Sequence, residues 1–418
     1  MSAVAGLRGT GDWGTDERPK DFRESILFFS PNGNAPLFAL TSKAGKKTVK
    51  DPEFSWWAES QTHVRLTTST AGTSTNTTVT IIGLDPTATT MSGLYQTATH
   101  LKGGDILLVE PGTDTSTWAP EMMEVVSVLS DTSFIVNRGA AGSSAAAYSA
   151  TAAFTLIGSA YAEGTAAPRA VSRNPVKFSN FTQIFKNTYE LTGTANETEV
   201  RTGSPWSNDK KRKMFDHAKS IELSMLFGVR SEVTDAVNGK PKRTMGGLRT
   251  FIPASQQTIL TTSLGGQGSA AAVTLMDAFA PAFDFDMGGG DSRIAFIGNF
   301  ARTAIGQAIQ SVNGAHISFG NTVKVYGIDF QELILPMGRI LLKSHPLLSV
   351  HPVYKKSAFV CDFSAIKYVA LRNRDTSNKD DVQTKDEDVR RGFVQTECSV
   401  MVDGGGLSCA YIGNISFT

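Results

Sequence analysis

Residues 209–228, DKKRKMFDHAKSIELSMLFG, constrain the chain more than any other stretch. Met214, Ala218, Ile221 and Met225 recur at i, i+4, i+7 and i+11, which places them on one face of a helix. Phe215 and Leu226 widen that stripe, while Lys210, Lys213, Asp216, His217 and Ser220 fall on the other side. Leu223 and Phe227 make the last turns apolar all round, so the helix is expected to start at a surface and finish inside a core. Ser207 or Asn208 is placed to cap its start, just after Pro205, and Gly228 to end it. A helix of about 20 residues spans about 30 Å. On this reading Lys210, Lys211, Arg212 and Lys213 sit in the first turn, where the helix dipole disfavours cations. Two explanations stand: a solvated basic face, or a partner that is either an acidic neighbour or nucleic-acid phosphate.

At 418 residues the chain is long enough for two or three domains with a sizeable core. Lys and Arg number 40 against 39 Asp and Glu, which excludes a whole-chain nucleic-acid binder and leaves only local patches. The three cysteines, Cys361, Cys398 and Cys409, contain no CxxC pair. They read as buried or free thiols of a reducing compartment, not as a disulfide framework. No apolar run approaches the length of a membrane span. The N-terminus lacks the basic and apolar regions of a secretory signal, so a soluble protein, intracellular when made, is expected.

Residues 1–50 read as an extended arm with two apolar clusters, Ile26, Leu27, Phe28 and Phe29, then Leu37, Phe38 and Leu40 after the breaker SPNGNAP. An isolated arm cannot bury such clusters on itself, so another surface is expected to cover them. DPEFSWWAES, with Trp56 and Trp57, reads as a short strand entering the body. Residues 66–167 then change composition: two basic residues, Lys102 and Arg138, face eight acidic ones. Short β-like runs, among them TTVTIIGL, DILLVE, MMEVVSVL and SFIVNR, alternate there with turn signals. That spacing predicts a small inserted β-barrel or sandwich. After the helix, NGKPKRTMGGLRTFIP brings Lys240, Lys242, Arg243 and Arg249 together in a basic hairpin or loop. FARTAIGQAIQSV reads as a second amphipathic helix. RILLKSHPLLSV reads as strand, and the remainder is rich in strands, broken by the charged loop NKDDVQTKDEDVRRG.

No chemistry-bearing motif stands out. MGGGDSR precedes a strand, whereas a phosphate loop needs its glycines after the strand, and it lacks the GK[ST] ending. The six histidines show no metal-ligand spacing, and His345 and His351, in SHPLLSVHP, read as loop residues. There is no GxSxG elbow. Asp284 with Asp286, and Glu121 with Glu124, are the candidate carboxylate pairs, and such pairs are usually only solvated. No catalytic residue, cofactor or metal is predicted.

The order of elements carries a resemblance. LFFSPNGNAPLFAL followed by FSWWAES, then GDILLVE, MEVVSV and SFIVNRG, then FDHAKSIELSMLFG with RTMGGLRTFI behind it, and finally AIKYVALRNRD and GFVQTECSVMVDGGGLSCAYIG, together resemble the major capsid proteins of tailed bacteriophages with the HK97-like fold. The similarity is to the branch with a β-domain inserted in the extended loop, and it covers nearly the whole chain. The resemblance implies an α+β fold: arm 1–50, extended-loop and peripheral strands 51–65 and 168–204, inserted domain 66–167, spine helix and following loop 205–252, axial domain 253–353, and C-terminal strands 354–418. It implies a structural, non-enzymatic subunit that assembles with itself through hexamers and pentamers into an icosahedral virion shell in the bacterial cytoplasm. It also implies backbone contact with packaged double-stranded DNA, and scaffold, portal and decoration proteins as partners. No long helical propeptide precedes the arm, so a separate scaffold is expected. Some members are crosslinked through Lys and Asn, but nothing here singles out such a pair. The sites expected between subunits are Ile26, Leu27, Phe28, Phe29, Leu37, Phe38, Trp56 and Trp57. The expected partner-facing basic patch is Lys210, Lys211, Arg212, Lys213, Lys240, Lys242 and Arg243. The competing reading, prompted by the Thr- and Ser-rich β segment, is an adhesive tail or fibre component. The long helix followed by a helix-bearing centre argues against it.

Overall fold

A computed structural model of the chain describes residues 36–44, 46–58, 65–82, 97–110, 121–171, 175–198, 200, 203–267, 270–288, 290–310, 318–325 and 328–417. The long helix is Pro205–Phe227. It begins earlier than the capping residues suggest, because Pro205 itself occupies the first position, where a missing N–H costs nothing. Lys210 to Lys213 are therefore its sixth to ninth residues, beyond the first turn where the dipole acts, and their placement needs no compensating partner.

The C-terminal half buries Ile221, Met225 and Leu226 as the apolar stripe requires. The N-terminal half presents a different face from the expected one. Met214 and Phe215 are 48% and 49% exposed, and His217 is buried. The surface beneath His217 is polar: its ring nitrogens lie 2.9 Å from Asn187 Oδ1 and 2.7 Å from Thr396 Oγ1, and its edge meets Phe185. Burial pushes the His217 pKa down, so the neutral ring is the form that fits. The helix end is closed by the GGLR segment. Gly247 N–H donates to Gly228 O at 2.8 Å. A Cβ at Gly247 would stand 2.6 Å from Ser224 O, so only glycine allows this approach. Asn180, fully buried, accepts from Gly246 N–H at 2.8 Å and donates to Val400 O at 2.8 Å, tying that loop to the neighbouring sheet.

That sheet runs in the order Lys46–Val49, Ile366–Leu371, Val389–Val402, Gln183–Thr192, with Ser377–Lys379 also pairing the long third strand. The spine helix lies on Gln183–Thr192, and a short helix, Pro36–Ala44, packs between the spine helix and Ile366–Leu371.

The second sheet has seven strands in the order Gln257–Ile259, Cys409–Gly413, Ala358–Cys361, Ser292–Ile297, Gly338–Ser344, Ile328–Leu335, Ser318–Val325. Strand alternation divides it between two cores. Ala295, Ile297, Ile340, Leu342, Val360 and Ile412 pack with Ala-rich helices Ala270–Phe279 and Asn299–Gln310. Ile294, Phe296, Leu341, Phe359 and Tyr411 share the other core with the end of the spine helix. PLLSV, expected as strand, is instead the short helix Pro346–Val350, because Pro346 removes a ladder donor and His345 caps its start.

The strands Glu53–Ala58 and Val176–Phe181 form an antiparallel ribbon. Between them in sequence lie six strands ordered Arg65–Thr67, Ala153–Ser159, Asp105–Val109, Met122–Val128, Ser133–Asn137, Thr78–Thr80. A bridge between Thr68 and Ile81, with Ile82 N–H donating to Thr67 O at 2.8 Å, joins the last strand to the first and closes a barrel. Leu66, Val79, Leu107, Met123, Phe134 and Phe154 fill it.

Candidate assembly interface

The residues expected to meet other subunits divide sharply. Ile26, Leu27, Phe28 and Phe29 lie outside the described residues. Leu37 and Phe38 belong to this subunit's own core. Their backbone N–H groups, at the unsatisfied start of the helix Pro36–Ala44, donate to Glu222 Oε1 at 2.9 Å and Oε2 at 2.7 Å. The Leu37 side chain is fully buried, and Phe38 meets the Tyr368 ring edge-on at 5.6 Å. Leu37 is thus covered within the chain by the spine helix and not left for another subunit, whereas Phe38 is half-buried and keeps part of its surface exposed. Glu222 also lies 2.7 Å from His345 Nε2, and both side chains are fully buried. One carboxylate thus binds the arm helix, the spine helix and the seven-stranded sheet together. Its signal in the sequence is a lone acid inside the apolar run IELSMLF.

Trp56 is likewise internal. It stacks between Phe54 and Phe178, and its Nε1 donates to Val402 O at 3.1 Å. Trp57, on the opposite face of the same strand, is 63% exposed and remains a candidate contact. Met214 and Phe215, assigned inward by periodicity, join it on the surface.

The expected basic patch is not one patch. Lys210 to Lys213 lie toward the start of the spine helix, whereas Lys240, Lys242 and Arg243 lie in a hairpin, Ser231–Thr234 with Pro241–Thr244, beyond its end. From Lys211 to Phe227 the helix rises about 24 Å. Lys210 pairs with Asp380 at 2.7 Å. For Lys210 the acidic partner is therefore the charged loop of the same chain. Lys210 heads the causes holding the Asp380 carboxyl below its usual range, followed by Tyr189. Arg212 lies 3.6 Å from Asp209, and Arg243 is 2.6 Å from Glu232 across the hairpin. Lys211, Lys240 and Lys242 are exposed, and Lys213 is half-buried.

The candidate chemical pairs resolve into structure. Glu121 is buried against Arg138 at 2.6 Å and accepts from the N–H groups of Ala146 and Gly139. Asp286 accepts from the N–H groups of Gly288 and Gly290, so the start of MGGGDSR turns around the aspartate that precedes it. Arg293, buried in the next strand, donates to the carbonyls of Ala282 and Phe285 and pins that turn. Among the described residues no group of three or more His, Cys, Asp or Glu could hold a metal ion.

Residues 6–414 match the sequence model of the SU10 major capsid protein family. The major capsid protein of Pseudomonas phage PaMx41 is 28% identical over 386 residues, covering 90% of this chain and 85% of the relative. Among solved structures, the capsid of a native GTA particle aligns at 10% identity and a TM-score of 0.41, covering 98% of this chain and 100% of that one. The capsid of cyanophage P-SCSP1u aligns at 9% identity and a TM-score of 0.40, covering 95% and 93%. The family match selects shell building over an adhesive tail or fibre role: the chain belongs to the SU10 major capsid protein family, a subunit from which a phage capsid is assembled.

Proposed function

We propose that this subunit builds an icosahedral head through hexamers and pentamers around packaged double-stranded DNA. Trp57, Met214 and Phe215 would be covered by neighbouring copies. The observation that carries the reading is Trp57, a large aromatic 63% exposed on a strand whose other face is locked into the core. Rigid exposed aromatics of this kind anchor protein interfaces. In this reading the spine helix with its sheet forms the peripheral domain, the seven-stranded sheet with its two helices the axial domain, and the barrel an insertion in the extended loop. Residues 26–29 act between subunits. Lys211, Lys240 and Lys242 supply backbone contacts to DNA, and scaffold, portal and decoration proteins complete the particle.

Negative-stain microscopy of purified protein tests this. Closed shells or capsomer rings are expected, and a stable monomer at high concentration would sink the reading. Trp57→Ser is expected to give soluble, normally folded subunits with particle yield reduced at least about tenfold, since a tryptophan acting as an interface hot spot is worth about 2 kcal/mol or more. Wild-type yield from that variant removes Trp57 from the interface.

A further inference from the structure

The strands Ala358–Cys361 and Cys409–Gly413 are antiparallel neighbours, and Cys361 lies directly opposite Cys409. The adjoining pair, Asp362 and Ser408, is joined by Asp362 N–H donating to Ser408 O at 3.1 Å. Hydrogen-bonded and non-hydrogen-bonded pairs alternate along an antiparallel ladder. Cys361 and Cys409 are therefore a non-hydrogen-bonded pair, with Cα atoms about 4.5 Å apart and side chains on one face. A disulfide needs a Cα separation of roughly 4.4–6.8 Å. Both residues are buried. Cys398 lies in the other sheet, opposite Gln183 and Ala370, with no cysteine across from it.

We propose that Cys361 and Cys409 form a redox-addressable pair, a dithiol during synthesis in a reducing cytoplasm and a cross-strand disulfide once the assembled shell meets an oxidising medium. The two thiols give up two protons and two electrons as the S–S bond forms. The two electrons and two protons pass to dioxygen, giving hydrogen peroxide, or to a small-molecule disulfide, giving two thiols. The bond closes the loop from 361 to 409, which carries the strands Ile366–Leu371 and Val389–Val402. Oxidation thus staples the base of the excursion from the seven-stranded sheet into the spine-helix sheet, constraining the unfolded chain. The neighbouring Cys409 thiol and then burial push the Cys361 pKa well up, so thiolate is scarce and oxidation proceeds slowly, through transient opening of the sheet.

The test uses assembled particles purified without reductant. They are incubated with oxidised glutathione at mildly alkaline pH, at room temperature and just below their melting transition, beside reduced controls. Denaturation in alkylating agent and mass spectrometry then count thiols. Reduced particles should show all three cysteines alkylated and oxidised ones only Cys398, with a crosslinked peptide containing Cys361 and Cys409. Oxidised particles should melt higher, an increment that Cys361→Ser and Cys409→Ser both lose and Cys398→Ser keeps. Three alkylated thiols under both incubations, a crosslink that includes Cys398, or no rise in melting temperature on oxidation overturns the proposal.

Discussion

Glu222 shows how much depends on a single side chain. Its two oxygens, fully buried, accept from Leu37 N–H, Phe38 N–H and His345. Each buried donor left without an acceptor costs about 1–3 kcal/mol. Glu222→Ala should therefore lose several of these increments, and Glu222→Gln, which keeps one carbonyl, distinctly less. Melting temperatures of soluble subunit measure this, and an alanine variant melting like wild type would detach the arm helix from Glu222. The two glycines of GGLR make a sharper contrast. A Cβ at Gly246 meets its nearest neighbour at 3.4 Å, whereas at Gly247 it meets backbone carbonyl oxygen at 2.6 Å. Gly246→Ala should be nearly neutral, while Gly247→Ala should cost about 1–3 kcal/mol as an overpacked site. Equal melting of the two variants would show that the loop yields. Residue roles were only half legible in the sequence. The apolar stripe located Ile221 and Met225, but it could not reveal that His217 faces Asn187 and Thr396, because polar partners from distant strands leave no periodicity.

At the scale of elements, the strand Glu53–Ala58 carries the clearest lesson. Its period-two alternation separates Trp56 from Trp57, and applying that rule to FSWWA would have sent one inward and one outward. The spine helix was legible in type and in its end at Gly228, but its start was not, since Pro205 competes with Ser207 and Asn208 as the boundary. The spacing of short strands and turns in residues 66–167 left barrel and sandwich open, and what decides for a barrel, closure through Thr68 and Ile81, depends on pairing between distant segments. Its Glu121–Arg138 pair makes the barrel acid-sensitive. Burial raises the Glu121 pKa, but hydrogen bonds from Arg138 and from the Ala146 and Gly139 N–H groups outweigh it, and the folded value lies below the ordinary one. A depressed carboxyl contributes stability that is complete above the unfolded pKa of about 4.3 and is lost as pH falls through the folded value. Thermal melts from neutral to acid pH should therefore fall more steeply in wild type than in Glu121→Gln. Parallel curves would remove this pair from the acid response.

For the whole molecule, the helix Pro36–Ala44 and the strand Lys46–Val49, both inside the stretch expected as an arm, are built into the subunit. Deleting residues 1–35 should leave a subunit that melts within a few degrees of wild type yet yields few particles. Deleting residues 1–43 should also remove Leu37 and its anchor on Glu222 and lower solubility. Normal particle yield after the shorter deletion would assign residues 26–29 no part in assembly. The ribbon has a further consequence. Ala58 and Val176 are directly paired where the chain leaves for the barrel and returns, and the barrel keeps a hydrophobic core of its own. Segments with adjacent ends accept replacement by other folded units. The subunit is therefore a ready display platform: a foreign domain with neighbouring termini, grafted onto the ribbon, would be repeated at every position of the particle.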